Sequence, residues 1–315
     1  MRRISRIGRI LAVVFAVSLL GCKENTKDRA SAAELPEQSL IVEHPLGKTT
    51  VAGNPQRVVA LDYASLENLD KLGIPVIGLP KSNLPRYLDE YGQMEGITNL
   101  GTLFEVDFER LNELSPDVIF ISARMEKHYG ELSKIAPTVY IQQDPARLLE
   151  SFEENLDIFG KIFDKGQEVD AAKVRIRAKI AALEGEVTAR GSNALVVMYN
   201  KGKFSAFGKK SRFGAIHEHF GFAQAVDDLD TSRHGQAVSN EFILKADPDY
   251  LFVVDRSAVV DKRATNREEI ENALIQRTQA YKNGNIVYLD PEAWYISGGG
   301  ITSFEIMIGE VADEL

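Results

Sequence analysis

The sequence predicts an α/β protein with two Rossmann-like α/β lobes joined by a long connecting α-helix and with a ligand cleft between the lobes. The first observation is an internal repeat. ERLNELSPDVIFISAR begins at Glu109 and EFILKADPDYLFVVDR begins at Glu241, and the two share a Glu, a Pro-Asp pair, a Phe and an Arg at matching positions. The second is the alternation of short apolar runs with helical segments, which indicates sheets covered by helices.

Each repeat has the pattern of a helix that stops at a Pro-Asp turn, followed by a strand that ends near an arginine. Four apolar runs have this strand character: 57–61, 118–121, 194–198 and 250–254. Strands that alternate with helices predict parallel sheets in both lobes. Because ligands bind beyond the carboxyl ends of such strands, we expect Arg124 and Arg256 to face one crevice.

The N-terminal segment has the features of an export signal. Residues 1–21 carry four arginines and then an apolar run, 10–20, which is too short to cross a bilayer stably, so a retained span is the weaker interpretation. Leu19-Leu20-Gly21-Cys22 resembles a bacterial lipobox, which implies lipidation of Cys22. An ordinary signal with an incidental thiol is the alternative. The polar stretch 23–38 suits a tether.

Composition excludes several classes of protein. Lys and Arg total 37 against 46 Asp and Glu, and this net charge of −9 argues against nucleic acid as a partner. Cys22 is the only cysteine, so one chain contains neither a disulfide nor a multi-thiolate metal site. We expect a monomer that is exported and anchored by lipid, in the periplasm or on the outer face of the cytoplasmic membrane.

The segment that connects the two halves is predicted to be helical. Residues 146–163 place large apolar side chains at helical spacing and would span about 27 Å, and a charged helical stretch, 167–188, follows. One large mixed domain with a long helix packed on it is the alternative. The expected division is a signal peptide at 1–21, a lipidated tether at 22–38, an N-terminal lobe at 39–144, connecting helices at 145–188 and a C-terminal lobe at 189–315.

Arginines carry the predicted binding chemistry. The planar guanidinium fork matches carboxylate, phosphate or catecholate oxygens and stays charged when partly desolvated. Arg124 and Arg256 occupy equivalent strand ends, and Arg212 lies in a stretch rich in glycine and aromatic residues, 204–214. A surface or interlobe salt bridge is the alternative for any one of them.

Four stretches carry a specific resemblance that extends from about residue 40 to the end of the chain. They are Ser211-Arg212-Phe213-Gly214, Arg233-His234-Gly235, Val253-Val254-Asp255-Arg256 and Asp290-Pro291-Glu292-Ala293-Trp294-Tyr295. With them the sequence resembles the iron-siderophore-binding proteins of ABC importers, most closely those for catecholates such as petrobactin or linear enterobactin products. The resemblance implies an Fe(III)-siderophore ligand, no intrinsic cofactor, no catalysis, and a membrane permease driven by a cytoplasmic ATPase as partner.

The resemblance also assigns roles to individual residues. It implies that Arg124, Arg212 and Arg256 hold the catecholate oxygens, whose negative charge requires cationic partners on burial. It implies that His234 and Tyr295 bind iron directly when the siderophore supplies only four donors. Phenolate and imidazole are suitable ligands for ferric iron.

Two glutamates at matching positions of the repeat complete the expected sites. The resemblance implies that Glu109 and Glu241 each meet arginines of the permease, where charge sets encounter and orientation more than affinity. Glu105 or Glu113 is an alternative for this contact.

Other functional classes have weaker support. The stretch 202–210 approaches a phosphate-binding loop but has five residues between its glycines, and Lys210 stands where Ser or Thr is needed. Ser297–Gly300 lacks the context of a hydrolase nucleophile and instead predicts a tight turn. A haem- or corrinoid-binding protein of the same transporter class is the alternative function, with Tyr295 or His234 available as an axial ligand.

Overall fold

A hairpin and a parallel sheet form the first half of the fold, which we call the N-terminal lobe. The computed structural model describes residues 39–229 and 234–315. Its first strands are β1 (Ser39–His44), β2 (Gly47–Ala52), β3 (Val58–Ala60), β4 (Gly78–Leu79), β5 (Thr98–Asn99), β6 (Val118–Ile121) and β7 (Thr138–Tyr140). β1 and β2 pair antiparallel, whereas the others form a parallel sheet in the order β5-β4-β3-β6-β7.

Short helices follow the strands of this sheet. They are α1 (Tyr63–Lys71), α2 (Glu90–Gln93), α3 (Phe108–Glu113) and α4 (Tyr129–Ile135). Asp62 caps α1 by accepting a hydrogen bond from the Ser65 amide over 2.9 Å. Asp107 caps α3 in the same way through the Arg110 amide. α3 leads into β6, so the first copy of the repeat has the predicted order.

Two long helices connect the sheets. α5 (Leu148–Phe163) and α6 (Gly166–Arg190) match the predicted helices at 146–163 and 167–188. The apolar stripe of α5 lies on the N-terminal sheet, where Phe159 and Phe163 stand 4.8 and 6.1 Å from Phe120 between ring centroids. Within the described residues, no helix combines the length and the apolar character needed to span a membrane.

The second sheet belongs to what we call the C-terminal lobe. Its strands are β8 (Asn193–Asn200), β9 (Lys203–Phe207), β10 (Ala223–Gln224), β11 (Gln236–Val238), β12 (Tyr250–Asp255) and β13 (Ile286–Leu289). They run in the order β11-β9-β8-β12-β13, and β10 also pairs with β8. The accompanying helices are α7 (Ala215–Glu218), α8 (Asn240–Ala246), α9 (Arg256–Val260), α10 (Arg267–Ile270) and α11 (Gln279–Lys282).

The expectation of a parallel sheet is wrong for part of this lobe. β8 is parallel to β12, but β9 pairs antiparallel with both β8 and β11. The cause is a two-residue hairpin turn in which Lys201 and Gly202 have φ angles of 51° and 81°. Positive φ at both central positions matches the twist of antiparallel strands.

The chain returns to the N-terminal lobe at its end. After β13, a π-helical segment (Glu292–Ser297) precedes α12 (Ile301–Asp313). Two residues of α1 bind the first turn of α12, since Asn68 accepts from the Ile301 amide over 3.0 Å and Glu67 from the Ser303 amide over 2.8 Å. The lobes are therefore joined by α12 as well as by the connecting helices.

Candidate functional site

The three arginines predicted to bind the ligand all contact Tyr295. Arg256 donates from Nε to the phenolic oxygen of Tyr295 over 2.8 Å. Arg124 and Arg212 both donate from Nη2 to the main-chain oxygen of Tyr295, over 3.0 and 2.9 Å. Arg124 also donates from Nη1 to the main-chain oxygen of Ile296 over 2.9 Å. We call Arg124, Arg212, Arg256 and Tyr295 the arginine-tyrosine cluster.

The strand topology explains how these residues meet. Arg124 lies three residues beyond the end of β6, and Arg256 directly follows β12. Each strand lies inside its sheet and has a parallel neighbour on both sides. The carboxyl ends of both strands face the crevice between the lobes. Arg212 lies in the loop between β9 and α7, and Tyr295 lies on the π-helical segment after β13.

Aromatic rings face the guanidinium groups of the cluster. The Cζ atom of Arg212 lies 4.4 Å from the Tyr295 ring centroid and 5.1 Å from that of Phe213. Arg256 lies 5.6 Å from the Tyr295 ring. The negative face of an aromatic ring attracts a cation, so these contacts stabilise the positions of the guanidinium groups while preserving their charge.

A buried carboxyl group lies behind the cluster. Asp62, the cap of α1, is only 3% exposed, and its two oxygens accept from the amide and the hydroxyl of Ser65. Burial raises the pKa of Asp62, whereas the hydrogen bonds from Ser65 and the positive charge of Arg124 oppose this rise. Arg124 therefore sits in the field of an acidic group as well as in hydrogen-bond contact with the opposite lobe.

Further contacts and a cavity join the two lobes near Tyr295. Arg86 donates from its amide to Glu292 over 2.8 Å and from Nη2 to Asp290 over 3.0 Å. A cavity of about 580 Å³ opens beside this contact, lined by Lys81 and its neighbours from one lobe and by Val259 and Glu292 from the other. Asp290 and Glu292 belong to one of the four stretches that carry the resemblance, but their pairing with Arg86 was not predicted, because nothing in a local pattern pairs positions so far apart in the chain.

His234, the other predicted iron ligand, lies among the described residues. It is exposed and precedes β11, and within the described part of the chain no hydrogen bond joins it to Tyr295. The next residue, Gly235, has a φ of 71°, and a Cβ there would lie 2.7 Å from the Phe207 ring. This close approach explains the glycine after His234. Ligation of iron by His234 stays a prediction, and Arg233 lies outside the described residues.

The two repeated glutamates are exposed on separate lobes. Glu109 and Glu241 lie in the first turns of α3 and α8. A hydrogen bond from the Ser239 side chain lowers the pKa of Glu241. Glu105 and Glu113 are also exposed, so exposure alone does not choose among these carboxylates. Cys22, with the expected signal and tether, lies outside the described residues.

Comparison with known proteins identifies the family. A family described as periplasmic binding protein matches residues 58–293, a range that contains both sheets with parallel strands and the three arginines of the arginine-tyrosine cluster and ends two residues before Tyr295. The chain belongs to the periplasmic binding protein family. The two sheets and the connecting helices described above have the two-lobe α/β fold of this family.

Individual relatives in this family cover almost the whole chain. The petrobactin-binding protein YclQ of Bacillus subtilis is 42% identical over 97% of both chains, and its crystal structure matches with a TM-score of 0.85 over 88% of this chain and 99% of that one. The ferric-anguibactin-binding protein FatB of Vibrio anguillarum is 34% identical over 94% of this chain and 93% of its own. The catecholate-siderophore-binding protein VctP of Vibrio cholerae matches at 37% identity, with a TM-score of 0.83 over 88% of this chain and 100% of its own.

Proposed function

We propose that this protein is the substrate-binding component of an ABC importer, which captures a ferric catecholate siderophore and delivers it to a membrane permease for iron uptake. The observation that carries the proposal is the convergence of Arg124, Arg212 and Arg256 on Tyr295 in the crevice between the lobes. The printed ligands of the relatives, petrobactin, ferric anguibactin and a catecholate siderophore, support it.

The arginines supply the chemistry that such a ligand needs. A ferric catecholate is an anion, and its burial without cationic partners costs several kcal/mol per charge. Guanidinium groups present N–H donors in a planar fork, so each can donate two parallel hydrogen bonds to neighbouring oxygens. In this role the chelate oxygens replace the acceptors on Tyr295 and Ile296, which the arginines now hold.

Replacement of these acceptors couples binding to movement of the lobes. Arg124 belongs to the N-terminal lobe, whereas both of its acceptors belong to the segment after β13. A ligand that takes these N–H groups removes interlobe hydrogen bonds and supplies new ones through itself. The continuous helix α5 and the contact of α12 with α1 limit the accompanying motion to a modest hinge.

Tyr295 and His234 would then complete the coordination of iron. A siderophore with four donor atoms leaves two of the six positions of ferric iron to the protein, and phenolate and imidazole are suitable for them. A siderophore with six donors needs neither residue. The protein performs no reaction on its cargo in this scheme.

The remaining parts of the proposal concern delivery. Glu109 and Glu241 would bind cationic groups of the permease, one from each lobe, so that the crevice faces the translocation path. Lipidation of Cys22 would hold the protein at the cell membrane, in the periplasm or on the outer face of the cytoplasmic membrane. The protein would act as a monomer, since one chain supplies both halves of the site.

Titration of tryptophan fluorescence tests the proposed ligand. Trp294 is the only tryptophan and precedes Tyr295, so its emission reports on the cluster directly. The full chain in detergent is titrated with ferric petrobactin, a ferric linear bis-catecholate and a ferric hydroxamate. We expect saturable quenching by the two catecholates alone. If calorimetry confirms that none of the three binds, the proposal fails, and titration with haem and a corrinoid, followed by visible absorbance, becomes the next experiment.

A further inference from the structure

Phe104 lies exposed at the edge of the arginine-tyrosine cluster. Its side chain is 63% exposed, more than that of Tyr281 at 38%. The Cζ atom of Arg124 lies 5.8 Å from the centroid of its ring. An isolated exposed apolar residue is normal on a protein surface, so exposure alone has no functional meaning. The position of this ring, against a guanidinium that reaches across the crevice to Tyr295, is what distinguishes it.

The main chain holds Phe104 in this position. Gly101 and Val106 form an antiparallel bridge, and the Thr102 amide donates to the Glu105 main-chain oxygen over 2.9 Å. The hydroxyl of Thr102 accepts from the amides of Phe104 and Glu105 over 3.1 and 2.9 Å. Phe104 thus sits at the tip of a closed turn, which places its ring without core packing.

The closed turn leaves the Phe104 side chain available for contact with a ligand. The turn does not depend on the Phe104 side chain, because the hydrogen bonds that close it involve the main chain and Thr102. A ring that contributes little to the fold is nevertheless held within reach of the N–H donors of Arg124. The oxygens of a catecholate are bonded directly to its ring. A catecholate that accepts hydrogen bonds from Arg124 therefore has its ring close to Arg124, on which the Phe104 ring also lies.

We infer that Phe104 stacks on an aromatic ring of the bound ferric catecholate and thereby favours catecholates over anionic chelates that lack such a ring. Aromatic pairs prefer offset or edge-to-face arrangements with centroids about 4.5 to 7 Å apart. The Phe104 ring lies 5.8 Å from Cζ of Arg124, so a catecholate that accepts hydrogen bonds from Arg124 carries its ring toward the Phe104 ring. The arginines recognise negative oxygens whatever their source, whereas Phe104 recognises the ring that carries them. The inference rests on the proposed function and adds a residue that determines specificity.

Two substitutions at this position separate stacking from apolar contact. Phe104→Leu keeps an apolar side chain but removes the ring, and Phe104→Tyr keeps the ring. Each full-chain variant is titrated with a ferric linear bis-catecholate and with ferric citrate, an anionic chelate without an aromatic ring. Ile41→Ala is the control, because Ile41 is similarly exposed, at 59%, but lies on the β1–β2 hairpin.

We expect F104L to bind the bis-catecholate about 2- to 10-fold more weakly than the wild type, and F104Y and I41A to match it. For ferric citrate we expect the wild type and F104L to give the same result, whether weak binding or none. Equal affinities of F104L and the wild type for the bis-catecholate would overturn the inference. An equal loss for both chelates would also overturn it, since Phe104 would then act only through Arg124.

The same titrations distinguish failure of the proposed function from failure of the stacking inference. If the wild-type chain binds no ferric catecholate, the function fails and the inference fails with it. If the wild type binds and F104L differs only in the delivery of iron to cells, the function stands and stacking is overturned, because Phe104 then contacts the permease. Circular dichroism of each variant checks that the fold is intact, as the closed turn leads us to expect.

Discussion

The phenolic oxygen of Tyr295 accepts a hydrogen bond from Nε of Arg256 over 2.8 Å. Arg256 also donates from Nη1 to Asn200 over 3.2 Å, so its guanidinium is oriented by two neutral acceptors. Neutral acceptors fix the direction of a guanidinium without cancelling its charge. On the proposed function, a ferric catecholate therefore meets an oriented cation and a phenol that can move from the arginine to the iron.

Tyr295→Phe tests direct ligation of iron. The substitution removes the phenolic oxygen but keeps the ring that faces Arg212 and Arg256. We expect the visible absorption band of a bound tetradentate ferric bis-catecholate to shift, because one iron ligand is lost, and that of a hexadentate ferric tris-catecholate to stay the same. Visible absorbance of the loaded full chain is the measurement. If neither band moves, Tyr295 is not an iron ligand.

Arg256→Ala tests the role of the arginines. Loss of one charge-assisted contact is expected to weaken ferric-catecholate binding by about 1.5 to 3 kcal/mol, or about 10- to 150-fold, as measured by fluorescence titration. Arg256→Lys should give an intermediate loss, since lysine keeps the charge but not the planar fork. An affinity equal to that of the wild type in both variants would remove Arg256 from the site.

A matched control for this experiment is Arg190→Ala. Arg190 pairs with Glu186 on the exposed face of α6, four residues apart and over 3.1 Å. Exposed ion pairs of this kind contribute little, so both the stability and the affinity of the variant should stay close to those of the wild type. A loss of affinity in R190A comparable to that in R256A would show that net charge, rather than the position of Arg256, controls binding.

The repeat made the largest part of the fold predictable. Each copy combines a capped helix, a Pro-Asp turn and an apolar run, and these local signals locate α3 with β6 and α8 with β12. Ligands bind beyond the carboxyl ends of parallel strands, so the sequence alone predicts that Arg124 and Arg256 lie in one crevice. The antiparallel strand β9 has one local sign, Gly202 in a short polar turn, whereas the alternation of strands and helices predicts parallel pairing there.

The rest depended on contacts between distant parts of the chain. Arg86 and Glu292 pair across the lobes, and no spacing rule joins residues that lie in different halves of the sequence. Glu67 reads as an ordinary polar residue of an amphipathic helix, yet it is fully buried against the start of α12. The packing of α12 on α1 decides the burial of Glu67, and a single sequence carries no local sign of it.

Gly300→Ala tests the contact between α1 and α12. A Cβ at Gly300 would lie 2.1 Å from Oε2 and 2.6 Å from Cβ of Glu67, and Glu67 is buried and unable to move aside. We expect urea unfolding to show a loss of about 1 to 3 kcal/mol, typical of overpacking. Gly309→Ala, later in the same helix and facing open space, should instead raise stability by about 0.5 to 1 kcal/mol. Equal stabilities for the two variants would contradict the close approach.

Glu67→Gln tests the buried carboxyl at this contact. Burial raises the pKa of Glu67, although hydrogen bonds from Ser303 and Tyr87 oppose the rise. The folded state therefore keeps this proton at a pH where the unfolded state has lost it, so the contribution of Glu67 to stability falls as the pH rises from its ordinary pKa through the raised one. The free energy of unfolding of the wild type minus that of E67Q should decline across this range. A constant difference would mean that Glu67 is ionised in the folded protein throughout.

Charge reversal at Glu109 and Glu241 tests delivery to the permease separately from capture. Both residues are exposed at helix N-termini on different lobes, so Glu→Arg at either position should leave the binding of ferric catecholate unchanged. Uptake of radioactive iron from the siderophore by whole cells should fall in each variant and fall furthest in the double variant, because a cationic side chain repels the cationic groups of the permease. Glu105→Arg and Glu113→Arg are the matched variants on the N-terminal lobe. If one of these abolishes uptake while Glu109→Arg does not, the docking carboxylate of that lobe is a neighbour of Glu109, and the equivalence of the two repeats does not extend to this surface.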